Sequence, residues 1–433
     1  MHAPLLGCIA DDFTGATDLA NNLVRAGMRA VQTIGIPEGP LQGAADAIIV
    51  ALKSRTIAPA DAVAQSLAAL RWLRAQGVQQ VYFKYCSTFD STLEGNIGPV
   101  IDALLDALQG PGQGFTIACP AFPENQRTVF KGHLFVGDQL LSDSGMRHHP
   151  LTPMTDANLV RVLQPQTRRK VGLVAHDVVA QGPHAIRARF AALRAEGVQI
   201  AVVDAISNDD LMRIGVALAG MPLVTAGSGI AIGLPQNWQA SGALAAGAKV
   251  DALPTASGLR ALVSGSCSMA TNAQVLHFQR AGLPSFAIEP LAIAAGEDVV
   301  GQALDWAGSR LADAPVLIYA TAEPDTVKAV QAQLGAARAG DMIEQALSRI
   351  AVGLVERGVR QLVVAGGETS GAVVQALGVR QMRIGPQIDP GVPWTAVHSP
   401  ACAGETLHVA LKSGNFGTAD FFSKAFALLE AGT

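Results

Sequence analysis

The residues that most constrain this chain are Gly7-Cys8-Ile9-Ala10-Asp11-Asp12-Phe13-Thr14-Gly15-Ala16-Thr17-Asp18. An apolar run from Leu5 to Ala10 meets two adjacent carboxylates. Thr14-Gly15 then opens a segment in which Leu19, Leu23 and Ala26 recur at helical spacing before Gly27. That order reads as a strand, an acidic turn and a helix. In open α/β sheets ligands gather at the carboxyl ends of strands, where Asp11 and Asp12 fall. Neighbouring side chains on an extended turn diverge, so one carboxylate is expected to face a ligand while the other orders the loop. The bland alternative is a polar turn with Thr14 as helix N-cap.

The same alternation continues along the chain. Short apolar runs at 47–52, 80–84, 114–119, 171–175, 200–203 and 223–226 read as strands, with a helical pattern over 61–76. A second series lies at 259–263, 285–288, 315–320, 361–365 and 407–411. Repeated strand–helix order argues for mostly parallel sheets, and 433 residues exceed one ordinary core. Pro235 to Ser257 is rich in Ala, Gly, Ser and Pro and reads as a linker. The expected fold class is α/β: two α/β domains with mostly parallel sheets and an interdomain cleft. The first would span 1–240, the linker 241–257 and the second 258–433.

Charge restricts the partners. Lys+Arg 31 against Asp+Glu 35 gives a net charge of −4 with no basic block, which makes nucleic acid and anionic membrane poor partners. Five cysteines (Cys8, Cys86, Cys119, Cys267 and Cys402) lie far apart without a CxxC pair, against a zinc site or disulfide framework. Reduced thiols, and no basic segment leading into a long apolar run, fit a soluble cytoplasmic protein.

Three small-residue loops follow strands in the second half: Ser264-Gly265-Ser266-Cys267-Ser268, Gly366-Gly367-Glu368-Thr369-Ser370-Gly371 and Ser413-Gly414-Asn415-Phe416-Gly417. Glycine lets backbone N–H groups approach an anion, and a following helix N-terminus adds a favourable dipole. Hydroxyls on Ser266, Thr369 and Ser370 would add donors. One such loop is ordinary punctuation; three in one domain point to nucleotide phosphates. No Gly-Lys dipeptide occurs, so there is no Walker A loop, and neither HExxH nor GxSxG is present.

The first half carries a complementary set. Lys84 to Thr92 follows a strand with a cation, hydroxyls and Asp90, and Pro120 to Thr128 follows another, with Arg127 suited to grip a carboxylate. Ala226-Gly227-Ser228-Gly229 is a further small-residue loop. Asp12, Ser54, Arg55, Lys84, Asp90 and Arg127 together suit a small, hydroxylated, anionic substrate. His133 and the pair His148-His149 lack a second ligand set at metal spacing and read as loop contacts.

Ile9 to Asp18, Phe89-Asp90-Ser91-Thr92 and the Gly366–Gly371 loop resemble the four-carbon acid sugar kinase family. Phe83 to Thr92, Gly132 to Asp138 and Leu151 to Asp156 look most like its 3-oxo-tetronate 4-kinase branch. One departure is Glu94, where many relatives, threonate-type kinases among them, carry an arginine in Asp-Ser-Thr-Leu-Arg-Gly. The resemblance implies an N-terminal domain for the acid sugar, a C-terminal domain for ATP, and γ-phosphoryl transfer to the terminal 4-hydroxyl.

The roles that follow are expectations. Asp12 is the preferred base, with Asp11 ordering the turn or meeting Mg²⁺ through water, or the two exchanged. Arg55 and Arg127 would hold the substrate carboxylate; Ser54, Lys84, Asp90, Ser91, Gly227 and Ser228 complete the acid site. Ser266, Gly366, Gly367, Glu368, Thr369, Ser370, Gly414 and Asn415 would bind ATP. Mg²⁺ is expected with the triphosphate, without an all-protein cage. The partners are the sugar acid and ATP, and a homodimer is left open. The alternatives are a threonate or erythronate kinase, a hydroxy-acid dehydrogenase lacking the glycine fingerprint, and a non-catalytic sugar-acid sensor.

Overall fold

Strand β1 (Leu6–Ala10) is buried along its whole length, as an apolar run must be when helices cover both faces of a parallel sheet. The structure is a computed structural model describing residues 3–431, apart from 42, 150, 246, 248, 249 and 323. It divides into two units, Met1–Val250 and Asp251–Thr433.

In the first unit β1 is followed by β2 (Ala30–Ile34), β3 (Ala47–Ala51) and β4 (Gln80–Lys84), then by β5 (Thr116–Ala118), β6 (Arg127–Phe130), β7 (His133–Val136) and β8 (Gln139–Leu140). Strands β9 (Lys170–Val174), β10 (Val198–Val203) and β11 (Leu223–Ala226) complete it. Five strands form a parallel array in the order β11-β4-β1-β3-β2. A second parallel sheet runs β5-β10-β9. Register fixes what emerges where. Ala10 pairs with both Ala51 and Lys84, and Lys84 with Ala226. The loops starting at Asp11, Leu52, Tyr85 and Gly227 therefore leave one edge of the sheet together.

The second unit holds β12 (Leu259–Ser264), β13 (Ser285–Ala287), β14 (Val316–Tyr319), β15 (Val359–Ala365), β16 (Gln381–Asp389), β17 (Val392–His398) and β18 (Thr406–Lys412), ordered β16-β17-β18-β15-β12-β14-β13. Ser264 pairs with Ala365, and Ala365 with Lys412, so three parallel strands end level with one another. Phe278, Trp394, Phe421, Phe422 and Phe426 pack in one core cluster, and the Trp394 indole donates to the Ala425 carbonyl at 2.8 Å.

One expectation is corrected. The linker does not begin at Pro235, because Pro235–Ala240 forms a helix whose leading proline supplies a fixed φ at its first turn. The sheets are mostly parallel, as expected, with antiparallel parts in the β16–β17–β18 meander and the small β6-β7-β8 sheet. Tight turns such as Asp389 to Val392 join those strands without a crossover helix, so helical periodicity never marks them.

Candidate active site

At the edge shared by β1, β3 and β4, the chain gathers three carboxylates around one guanidinium. Arg55 donates through Nε and Nη2 to the two Asp11 oxygens at 2.9 and 2.8 Å, and through Nη2 to Asp12 Oδ1 at 2.5 Å. Its Nη1 lies 3.6 Å from Asp90 Oδ2. The loop carrying it is fixed at both ends. The Ser54 N–H donates to the Asp11 carbonyl, and the Asn96 side-chain amide donates to the carbonyls of Ser54, Arg55 and Ile57.

Asp12, not Thr14, is the N-cap of helix Phe13–Arg25. Its Oδ1 accepts the Gly15 N–H at 3.1 Å and its Oδ2 accepts the Thr14 hydroxyl at 2.8 Å, a cap worth about 1 kcal/mol. Lys84 Nζ, almost fully buried, lies 3.6 Å from the same Oδ1. Glycine at 15 is required by this approach. A Cβ there would sit 1.9 Å from Lys84 Nζ and 2.1 Å from Asp12 Oδ1.

The two neighbouring carboxyls are tuned in opposite directions. Burial pushes Asp12 up, but Arg55 and Lys84, helped by Thr14 and the Gly15 N–H, outweigh it and hold the group well below the usual carboxylate range. Burial raises Asp11 against the opposing field of Arg55. Asp18, one helical turn further on, is pushed up to about 7 by burial, against Lys84 and the Ser228 hydroxyl, which donates to its Oδ2. Its Oδ1 is buried without a hydrogen-bond partner. Burial lowers Arg127, against the fields of Cys86, Asp18 and Asp90.

Some expected residues are brought together and others are engaged elsewhere. Asp11, Ser54, Arg55, Asp90 and Ser91 line one small cavity with Asn96 and Phe83. The Ser91 hydroxyl, however, donates to the Gln166 side chain at 2.9 Å, and that same oxygen accepts the Gly98 N–H. Gly227 sits where a Cβ would meet the Pro120 carbonyl at 2.7 Å, so close backbone packing accounts for it. His133 contacts the Lys131 carbonyl and Asn158, and His149 contacts Thr152.

In the second unit the three glycine loops meet. The Gly265 N–H donates to the Ala365 carbonyl and the Gly366 N–H to the Lys412 carbonyl. A Cβ on Gly265 would lie 2.3 Å from Thr369 Oγ1, and one on Gly414 would lie 2.6 Å from Ser266 Oγ. Gly366 has φ +121 and no side chain caps the helix Gly367–Ala376 behind it. A helix start of this kind presents backbone N–H groups and a positive dipole end to an anion. Ser370 Oγ is buried without a partner. The Ser268 hydroxyl caps the helix Met269–Arg280 and donates to the Gly414 carbonyl at 2.5 Å. This cradle fits the phosphates of a nucleotide.

Sequence reasoning missed Lys412 at its centre. The ammonium is fully buried and donates to Thr271 Oγ1 and to the carbonyls of Ser413, Gly414 and Phe416 at 2.9 to 3.2 Å. A signal was present: the charge follows the apolar run Val409-Ala410-Leu411 and immediately precedes Ser413-Gly414.

Comparison with known proteins agrees with this division. Residues 6–234 match a sugar-binding N-terminal domain and residues 261–422 a nucleotide-binding C-terminal domain. A curated 3-oxo-tetronate kinase of Burkholderia multivorans is 63% identical over 427 residues, covering 99% of this chain and 98% of that one. Another, of Cupriavidus necator, is 60% identical over 431 residues with the same coverage. A Salmonella typhimurium LT2 crystal structure bearing the name tRNA synthase superposes with a TM-score of 0.84 at 44% identity, covering 97% of this chain and 98% of that one.

Proposed function

The chain belongs to the 3-oxo-tetronate kinase family, and we propose how its residues share the work of that ATP-dependent phosphotransferase, which phosphorylates the terminal 4-hydroxyl of 3-oxo-tetronate. The observation that carries the activity is full-length identity of 63% to a curated kinase of that name. It outweighs the tRNA synthase name of the Salmonella structure, whose identity is 44% at similar coverage.

In our reading the first unit holds the acid and the second holds ATP. Asp12 faces the 4-hydroxyl, because its side chain is more exposed than that of Asp11, which Arg55 grips through both oxygens. Held ionised, Asp12 orients the hydroxyl and takes its proton late. That suits a loose phosphoryl transition state, which asks little of a base. Arg55 is reassigned from the substrate to the three carboxylates it already joins. The acid's own carboxylate then falls to Arg127, with Lys84 beside Asp12 supplying positive charge.

Ser266, Gly366–Ser370 and Gly414-Asn415 bind the triphosphate. Mg²⁺ enters with ATP as part of the substrate. Among the described residues no cluster of three or more His, Cys, Asp or Glu is present. The proposed compartment is the cytoplasm, consistent with five free thiols. No helix among the described residues is long and apolar enough to cross a membrane.

The test is ADP formation with 3-oxo-tetronate, threonate and erythronate in parallel. The oxidised acid is expected to win by about 10,000-fold or more in kcat/KM, the discrimination available to a site built to hydrogen-bond one polar pattern. Equal or better turnover of threonate would overturn the substrate assignment.

A further inference from the structure

Lys412 has no carboxylate among its hydrogen-bond partners, all of which are neutral oxygens. A buried ammonium is costly unless it is paired or placed for a charge still to come. Among the described residues no ionisable group on the surrounding elements hydrogen-bonds the Lys412 ammonium. Asp389 of β16 binds Thr418 and Lys424, Arg360 of β15 binds Glu405, and His277 and Arg280 fall in the last turn of Met269–Arg280. His398 closes β17, and Glu368 opens the helix Gly367–Ala376. Burial alone displaces Lys412, pushing it down to about 7.

Peptide planarity says what this ammonium does to the loop. In a trans peptide the carbonyl of one residue and the N–H of the next point in opposite directions, and no described peptide is cis. Drawing the carbonyls of Ser413, Gly414 and Phe416 toward Nζ therefore turns the N–H groups of Gly414, Asn415 and Gly417 away from it. Three amides on the outer side of one short loop are donors that an anion lying across it can meet.

We propose that Lys412 is the positioning residue of the nucleotide loop: its ammonium fixes the three carbonyls, aims the opposing amides at the phosphate chain, and supplies the buried positive charge that the bound polyphosphate meets. This rests on the second unit binding ATP. It adds a consequence that a merely structural lysine lacks. An anion arriving above the loop stabilises the charged form, so nucleotide binding takes up a proton wherever the free protein holds Lys412 neutral.

The experiment is isothermal titration of the full chain with ADP at about pH 8, in two buffers of different ionisation heat, beside steady-state kinetics of Lys412→Met. For the wild type, net proton uptake on ADP binding is expected. For Lys412→Met we expect no uptake, a rise of about tenfold or more in the KM for ATP, and kcat at saturating ATP within about threefold. Wild-type binding without proton uptake overturns the proposal, and that arm stands even if the variant does not fold. Normal ADP affinity in a folded Lys412→Met overturns it equally. Failure of the wild type to bind ADP at all would instead remove the nucleotide reading beneath it.

Discussion

Replacing Gly15 with alanine tests both the chemistry of the first unit and its stability. A methyl group on residue 15 would lie 1.9 Å from Lys84 Nζ and 2.1 Å from Asp12 Oδ1, where ordinary contact needs roughly 3.4 Å or more. Both obstacles are side-chain ends, so they, and not the backbone, must give way. Clearing the methyl moves the ammonium by about 1.5 Å, out of its place beside the carboxylate. A displacement of about 1 Å at reacting groups costs on the order of 100-fold in rate. The helix itself gains about 0.5–1 kcal/mol from alanine in place of glycine, but disturbing the buried Asp12–Lys84 pair costs more, up to about 3–5 kcal/mol if it is broken outright. The expected outcome is a folded protein with a melting temperature lowered by roughly 5–15 °C, kcat/KM for the acid about 100-fold lower, and unchanged ADP affinity. Coupled-enzyme kinetics, thermal denaturation and ADP titration read the three quantities. Wild-type kcat/KM in a folded Gly15→Ala protein would refute the claim that Asp12 and Lys84 act through their close approach.

Other substitutions probe the remaining parts. Asp12→Asn should lower kcat by about 100- to 10,000-fold with ATP affinity little changed. Because Asp12 is held well below the usual carboxylate range, its contribution to stability is present above the unfolded-state value and is lost only as pH falls through the lower folded one. The stability difference between wild type and Asp12→Asn should therefore persist at about pH 4, as denaturant titrations would show. Asp18 has the opposite sign: raised to about 7, it favours folding below its unfolded value and loses that advantage as pH rises toward 7. Asp18→Asn should then gain melting temperature over wild type progressively between about pH 4 and pH 7, and level off above that. Gly366→Ala places a Cβ 2.9 Å from Thr369 Oγ1 at φ +121, and should raise the KM for ATP about tenfold while leaving the acid's KM alone. Ser91→Ala should cost about 1 kcal/mol of stability through Gln166 and leave both KM values within about twofold.

What could be read from the chain alone follows from how far apart the interacting residues lie. The acidic turn after β1 was visible because strand, carboxylates and helix start are contiguous, and the three glycine loops because each sits directly behind its own strand. That these loops converge depends on the register of β12, β15 and β18, which joins residues about fifty to a hundred positions apart and leaves no local pattern. Arg55 shows the same limit at a single side chain. Its position beyond a strand marked it as a site residue, but whether it grips a substrate or three of the protein's own carboxylates depends on Asp11, Asp12 and Asp90 arriving from other strands. Ser91 and Gly227 carried the right chemistry in the right loops, yet Gln166 and the Pro120 carbonyl, distant in sequence, occupy them. Lys412 is the inverse case: a lysine after an apolar strand reads as a solvated strand end, and only the folding-back of Ser413 to Phe416 encloses it. Strand-end loops thus announce which residues stand near a ligand. Which of them touch it, and which hold those that do, is decided by pairings between strands, the same pairings that gather three carboxylates around Arg55 and three carbonyls around Lys412.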